Sequence, residues 1–225
     1  MRVTSVITAI AAIGALSAGL LFGLTQCSTL DSSSERAAPT NRYGSYLAGR
    51  YAASERDADS AALFFDKALK FDPSNPELLE RAIMSEVAQG DLDGASTHAE
   101  SLVQTSPNAR IPHLVIGVRA MRDAGFAKAR QEFEKVSGNA AAEIGARLGL
   151  AYAYFSEGNF AGASEVIAKM SVADGVRAFA QYHLAVIEDL SGKTQDALVH
   201  FEEANRLSDG DSLRILQEIA RVKIC

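Results

Sequence analysis

Apolar residues recur along this chain at spacings of three and four, are interrupted by short polar turns, and then begin again in the same order. Ala61, Ala95, Ala129, Ala163 and Ala197 are each 34 residues apart. Three residues before them stand Ala58, Leu92, Phe126, Phe160 and Thr194. Four residues after them stand Phe65, Ala99, Phe133, Ile167 and Phe201, and seven after them Ala68, Leu102, Val136, Met170 and Ala204. Such spacing lies along one face of an α-helix, and that face is predicted to be buried. Before each block comes turn chemistry: Arg56-Asp57, Gly90-Asp91, Ala124-Gly125, Gly158-Asn159 and Gly192-Lys193. Glycine accepts the left-handed backbone that ends one helix, and Asp or Asn caps the next. Pro73 and Pro107 stop the second helix, whereas Ala141, Gly175 and Asp209 occupy that place in later copies. Upstream of each turn a second helical pattern carries small or apolar anchors at Ala48/Gly49, Ala82/Ile83, Ile116/Gly117, Leu150/Ala151 and Leu184/Ala185.

The unit is therefore helix A, tight turn, helix B, copied about five times in an all-α stack. Function in such a stack sits on a repeated surface and not in one pocket. The pattern from Arg42 to Asp211 resembles the tetratricopeptide repeat family. Repeat 1 carries it on Gly49, Asp57, Ala61, Phe65, Ala68 and Asp72-Pro73-Ser74-Asn75, repeat 2 on Gly90-Asp91, Ala95 and Pro107, and repeat 4 on Gly158-Asn159-Phe160 and Ala163. The chain has no Trp, and the family's Tyr position holds Ala52, Glu86, Ala120, Tyr154 and Glu188. Glu86 and Glu188 stand where an apolar side chain is usual, which predicts a rotated or shifted helix A in repeats 2 and 5. The resemblance implies a right-handed α-solenoid with repeats at 42–75, 76–109, 110–143, 144–177 and 178–211. Residues 212–225 would be a capping helix or the start of a sixth repeat belonging to a longer envelope protein.

Composition narrows the function. Net charge is −6, so no basic field exists to hold nucleic acid. The two cysteines, Cys27 and Cys225, lie too far apart along the stack to pair, so stability comes from repeat stacking and not from disulfides. Val3 to Leu24 carries no charge, which reads as a signal peptide or a membrane anchor. Leu24-Thr25-Gln26-Cys27 resembles a bacterial lipobox, with Gln26 in the place of a small residue, and implies lipidation at Cys27. Residues 28–41 are polar and read as a flexible tether. Both the lipoprotein and the uncleaved-anchor readings place the repeats in the cell envelope, facing the periplasm. Exported arrays of this size resemble pilus-assembly lipoproteins in architecture.

In the family, A helices line the concave groove. The register set by the alanines puts Tyr46, Arg50, Arg81, Met84, Leu114, Val118, Tyr152, Phe155, Tyr182 and His183 there. The family's Lys/Asn carboxylate clamp is not reproduced, and Arg50 and Arg81 are the plausible anion grips. Repeats 3 to 5 offer a mostly apolar, aromatic groove suited to a peptide or partner protein. The ladder alanines themselves are expected to be packing contacts. His98, His113, His183 and His200 have no second His or Cys at metal-ligand spacing, so neither a metal nor another cofactor is expected. His98 and His200, on B helices, are expected to be solvated. No phosphate loop or nucleophile elbow occurs, and the chain reads as a non-catalytic adaptor.

Overall fold

The alanine ladder runs through the centre of the molecule: Ala61 is 1% exposed, and Ala95, Ala129, Ala163 and Ala197 are completely buried. The computed structural model describes residues 41–170, 174–210 and 212–224; Val3–Leu24, Cys27 and the tether up to residue 40 lie outside them. Ten of the helices form five antiparallel pairs. The A helices are α1 (Arg42–Ser54), α3 (Pro76–Gln89), α5 (Arg110–Arg122), α7 (Ala140–Ser156) and α9 (Asp174–Leu190). Their B partners are α2 (Ala58–Leu69), α4 (Leu92–Thr105), α6 (Phe126–Glu134), α8 (Phe160–Ala168) and α10 (Thr194–Leu207). An eleventh, α11 (Leu213–Ile224), packs on α10. Among the described residues there is no strand, and no helix is long and apolar enough to cross a membrane.

The alanine face packs because its partners vary in size together. Four residues past each alanine, Phe65, Ala99, Phe133, Ile167 and Phe201 are all buried. Opposite them on helix A stand Gly49, Ile83, Gly117, Ala151 and Ala185. Where the B residue is large the A residue is small, and the reverse holds for Ala99 and Ile83. A Cβ added to Gly49 would lie 2.8 Å from the Phe65 ring, and one added to Gly117 2.5 Å from the Phe133 ring. Phe133 is also closed in by the next repeat, since a Cβ on Gly149 would lie 2.6 Å from the same ring. This volume exchange at native packing density sets the distance between helices.

The turns are as regular as the core. Arg56, Gly90, Ala124, Gly158 and Gly192 have φ of 60°, 88°, 58°, 77° and 80°. In each repeat the following amide donates to the carbonyl five residues back: Asp57 to Ala52, Asp91 to Glu86, Gly125 to Ala120, Asn159 to Tyr154 and Lys193 to Glu188, at 2.8–2.9 Å. This left-handed cap satisfies carbonyls that the helix end leaves open. The residue that donates there also starts helix B. Asp57, Asp91 and Asn159 accept from the amides of Ser60, Gly94 and Gly162.

Each helix packs on the next, and A helices also meet one another, α3 with α5 and α5 with α7. No B helix approaches the following B helix as closely. The stack is therefore tighter on the A side, which makes the A helices the inner surface of the curve.

Candidate partner-binding face

The inner surface is built most openly by α1 and α3. The Tyr46 ring rests on Phe65, with centroids 6.4 Å apart, and is half-buried. The Arg50 and Arg81 guanidinium carbons stand 5.8 and 5.5 Å from its centroid. The Tyr46 hydroxyl donates to Glu77 Oε1 at 2.8 Å, and Arg81 donates to the same oxygen through Nε at 3.1 Å and Nη2 at 3.0 Å. These bonds hold the Glu77 carboxyl below its ordinary range, the Tyr46 bond contributing most. Beside them a cleft of about 380 Å³ is lined by Ala53, Phe65, Glu77, Glu80, Arg81 and Met84. A second cleft of about 350 Å³ continues past Met84 toward Ala58 and Ala61. Met84 is 52% exposed at their junction. The seam thus offers an apolar floor, an adaptable thioether and two cations stacked on one aromatic ring.

Repeats 3 to 5 present a half-buried, mostly apolar surface. Val118 is exposed, but Leu114 packs into the cluster around Phe133, and Phe155 into the cluster around Ile167. Tyr152 and Tyr182 are half-buried around His183. The Tyr152 hydroxyl lies 2.9 Å from His183 Nδ1, and Phe179 closes the cluster at 4.4 Å from the His183 ring. Burial, then the nearby Arg214 charge, lowers the His183 pKa and favours the neutral ring, which shares a hydrogen bond with the Tyr152 hydroxyl. Burial raises the Tyr152 pKa in turn.

Two expectations are corrected. Helix A of repeats 2 and 5 keeps its register, because Glu86 and Glu188 are met by histidines from their own B helices. Glu86 is only 3% exposed, and both its oxygens lie 2.9–3.0 Å from His98 Nδ1. Glu188 Oε2 lies 2.6 Å from His200 Nδ1. His98 and His200 are accordingly half-buried partners and not solvated side chains. A signal for this was present: the histidine follows the glutamate by twelve residues in both copies. A third pair, His113 with Glu132, ties α5 to α6 at 2.6 Å.

The stacked helix pairs, their volume-matched alanine seam and the inner A-helix surface decide the architecture. The fold is that of a tetratricopeptide-repeat array. Among solved structures, MamA from Desulfovibrio magneticus RS-1 aligns with a TM-score of 0.66 at 17% identity, over 78% of this chain and 99% of its own. PilW, described as a widely conserved type IV pilus biogenesis factor, aligns at 0.64 and 18%, over 80% of this chain and 85% of its own. YrrB, described as a tetratricopeptide protein with an unusual peptide-binding site, aligns at 0.61 and 17%, over 79% of this chain and 91% of its own. No protein-family model and no curated protein sequence matches the chain. At these identities the likeness is one of fold.

Proposed function

We propose that this array is a non-catalytic scaffold that receives a segment of a partner protein on its inner A-helix surface. The observation that carries the reading is the α1–α3 seam, where Arg50 and Arg81 flank Tyr46 above an apolar cleft that ends at Met84. A segment with an acidic side chain near an aliphatic one would meet cation and cleft together. Arg50 is the freer grip, because Arg81 is partly engaged by Glu77. Val118 extends the same surface. Tyr152, Phe155, Tyr182 and His183 shape it from below, and the ladder alanines hold the helices that present it. The uncharged Val3–Leu24 stretch and Cys27 support tethering in a cell envelope, with the array facing the periplasm. The peptide-binding description of YrrB and the pilus-biogenesis description of PilW are compatible with this role.

The test is site-specific photocrosslinking in cells, with the reactive amino acid at Met84 and, as a control, at Val199, which is 62% exposed on α10. A discrete adduct should form at Met84 and not at Val199, and Arg50→Glu with Arg81→Glu should abolish it. Equal adducts at both positions, or an adduct indifferent to charge reversal, would show that the seam is not the binding face.

A further inference from the structure

Histidine spacing along the chain offers no metal site, yet folding brings three ligand-bearing side chains from three successive helices to one place. Asp66 of α2, Glu86 of α3 and His98 of α4 each present one ligand atom within 4.8 Å of the others. The arrangement is directional. Glu86, buried on α3, faces His98 Nδ1 at 2.9 Å and so accepts a hydrogen bond from the Nδ1 N–H. The lone pair of the neutral ring is then on Nε2, which points at Asp66 Oδ1 from 3.7 Å. That separation is too long for a hydrogen bond. It is close to the distance between two ligands that share one cation at about 2.0–2.2 Å from each.

Two independent observations favour a cation there. First, Asp66 Oδ1 is buried and has no hydrogen-bond partner, although the Asp66 side chain as a whole is 45% exposed. An orphaned buried carboxylate oxygen needs a positive partner, and the exposed side of Asp66 supplies an entry path. Second, negative charge is in excess. Asp91 acts electrostatically on both Asp66 and His98. A Cβ on Gly94 would stand 2.5 Å from Asp91 Oδ2 and 3.0 Å from Glu86 Oε1, so these carboxylates border one small space. Lys70 is the cation that acts on Asp66 besides His98. Asp66, Glu86 and Asp91 thus gather three carboxylates around one imidazole and Lys70. The repeat-5 pair supplies the contrast. Glu188 and His200 close directly at 2.6 Å, and the position equivalent to Asp66 is Ala168.

We propose that Asp66 Oδ1 and His98 Nε2 bind a divalent cation of the zinc class, with Glu86 holding the far side of the imidazole. A carboxylate behind a ligating histidine orients the ring and increases its basicity. Mixed nitrogen and carboxylate donors suit zinc and its first-row neighbours over magnesium or calcium. Water completes the coordination. The bound cation joins repeat 1 to repeat 2 by linking α2 to α4.

The experiment is calorimetric titration of the full-length, tag-free, chelator-treated chain with Zn²⁺ alone, at pH 7.5. One Zn²⁺ per chain is expected, with affinity rising from pH 6 to pH 8 as the competing imidazole proton is lost. Asp66→Asn, isosteric and half-exposed, should weaken binding at least about tenfold, as should Glu86→Gln. His200→Gln should leave it unchanged. Thermal unfolding gives a second readout: Zn²⁺ should raise the Tm of the wild type and not that of Asp66→Asn. Binding weaker than about 1 mM, or stoichiometric binding that survives both Asp66→Asn and His98→Gln, would overturn the site.

Discussion

Gly117 tests the packing argument because two effects of one methyl group oppose each other there. Replacing a helix-interior glycine by alanine ordinarily stabilises by about 1 kcal/mol through backbone entropy. At Gly117 the new Cβ would stand 2.5, 2.8 and 2.9 Å from three atoms of the Phe133 ring. Carbon atoms prefer about 3.5–4.0 Å, so the ring must retreat by about 1 Å. Phe133 is 3% exposed, and on its other flank Gly149 already lies so near that a Cβ there would sit 2.6 Å from the ring. The ring has nowhere to go, and overpacking of this kind costs about 1–3 kcal/mol. Gly117→Ala should therefore destabilise the array by about 1 kcal/mol net. Gly145 is the control: it lies inside α7, and a Cβ there would meet nothing within 4 Å. Gly145→Ala should stabilise by about 0.5–1 kcal/mol. Urea unfolding followed by circular dichroism reads both as shifts in midpoint at constant slope. Phe133→Leu should relieve the Gly117→Ala penalty in a double-mutant cycle. If Gly117→Ala stabilises as much as Gly145→Ala, the Gly–Phe exchange does not set the helix spacing.

The turn geometry predicts that Ala124→Gly, at φ of 58°, stabilises by about 1 kcal/mol, while Gly90→Ala destabilises by a similar amount; thermal unfolding of the two variants checks both signs. The Glu86 hydrogen bond raises the His98 pKa despite the opposing effect of burial. Its contribution to stability is complete below the free imidazole value of about 6.5 and is lost as pH rises through the higher folded value. His183 has a lowered pKa, so its contribution runs the other way: it is complete above the free imidazole value of about 6.5 and is lost as pH falls through the lower folded value. Urea midpoints at pH 5.5, 7 and 9 should show the His98→Gln deficit shrinking as pH rises. Asn75 Oδ1 accepts from the Glu77 and Leu78 amides at the start of α3, so Asn75→Ala should cost about 1 kcal/mol in the same assay.

How much of this was legible in the chain differs from element to element. The solenoid was legible because its causes are local and repeated. Residues three and four apart share a helix face whatever lies opposite, and a left-handed cap needs only its own few residues. The buried alanines, the small anchor at Gly117, Phe133 on the buried face and the turn at Gly90 all follow from sequence spacing of this kind. The surface was legible only in part. Leu114 and Phe155 belong to A helices, as their spacing requires, but whether a side chain lines a groove or folds into a neighbour depends on what the next repeat leaves open. Glu86 read as a break in the pattern because its partner stands twelve residues on, across a turn.

The sequence by itself therefore determined the period, the pairing of helices, the buried face and the turn chemistry, all set by interactions within a few residues of one another. Only the tertiary structure decided which groups meet across repeats. Tyr46 reaches Glu77, Phe133 is enclosed by Gly149, and Asp66 faces His98, each across a boundary between repeats. Those meetings depend on the stacking distance and angle between repeats, which the summed packing of many side chains sets. No single stretch of the chain encodes them.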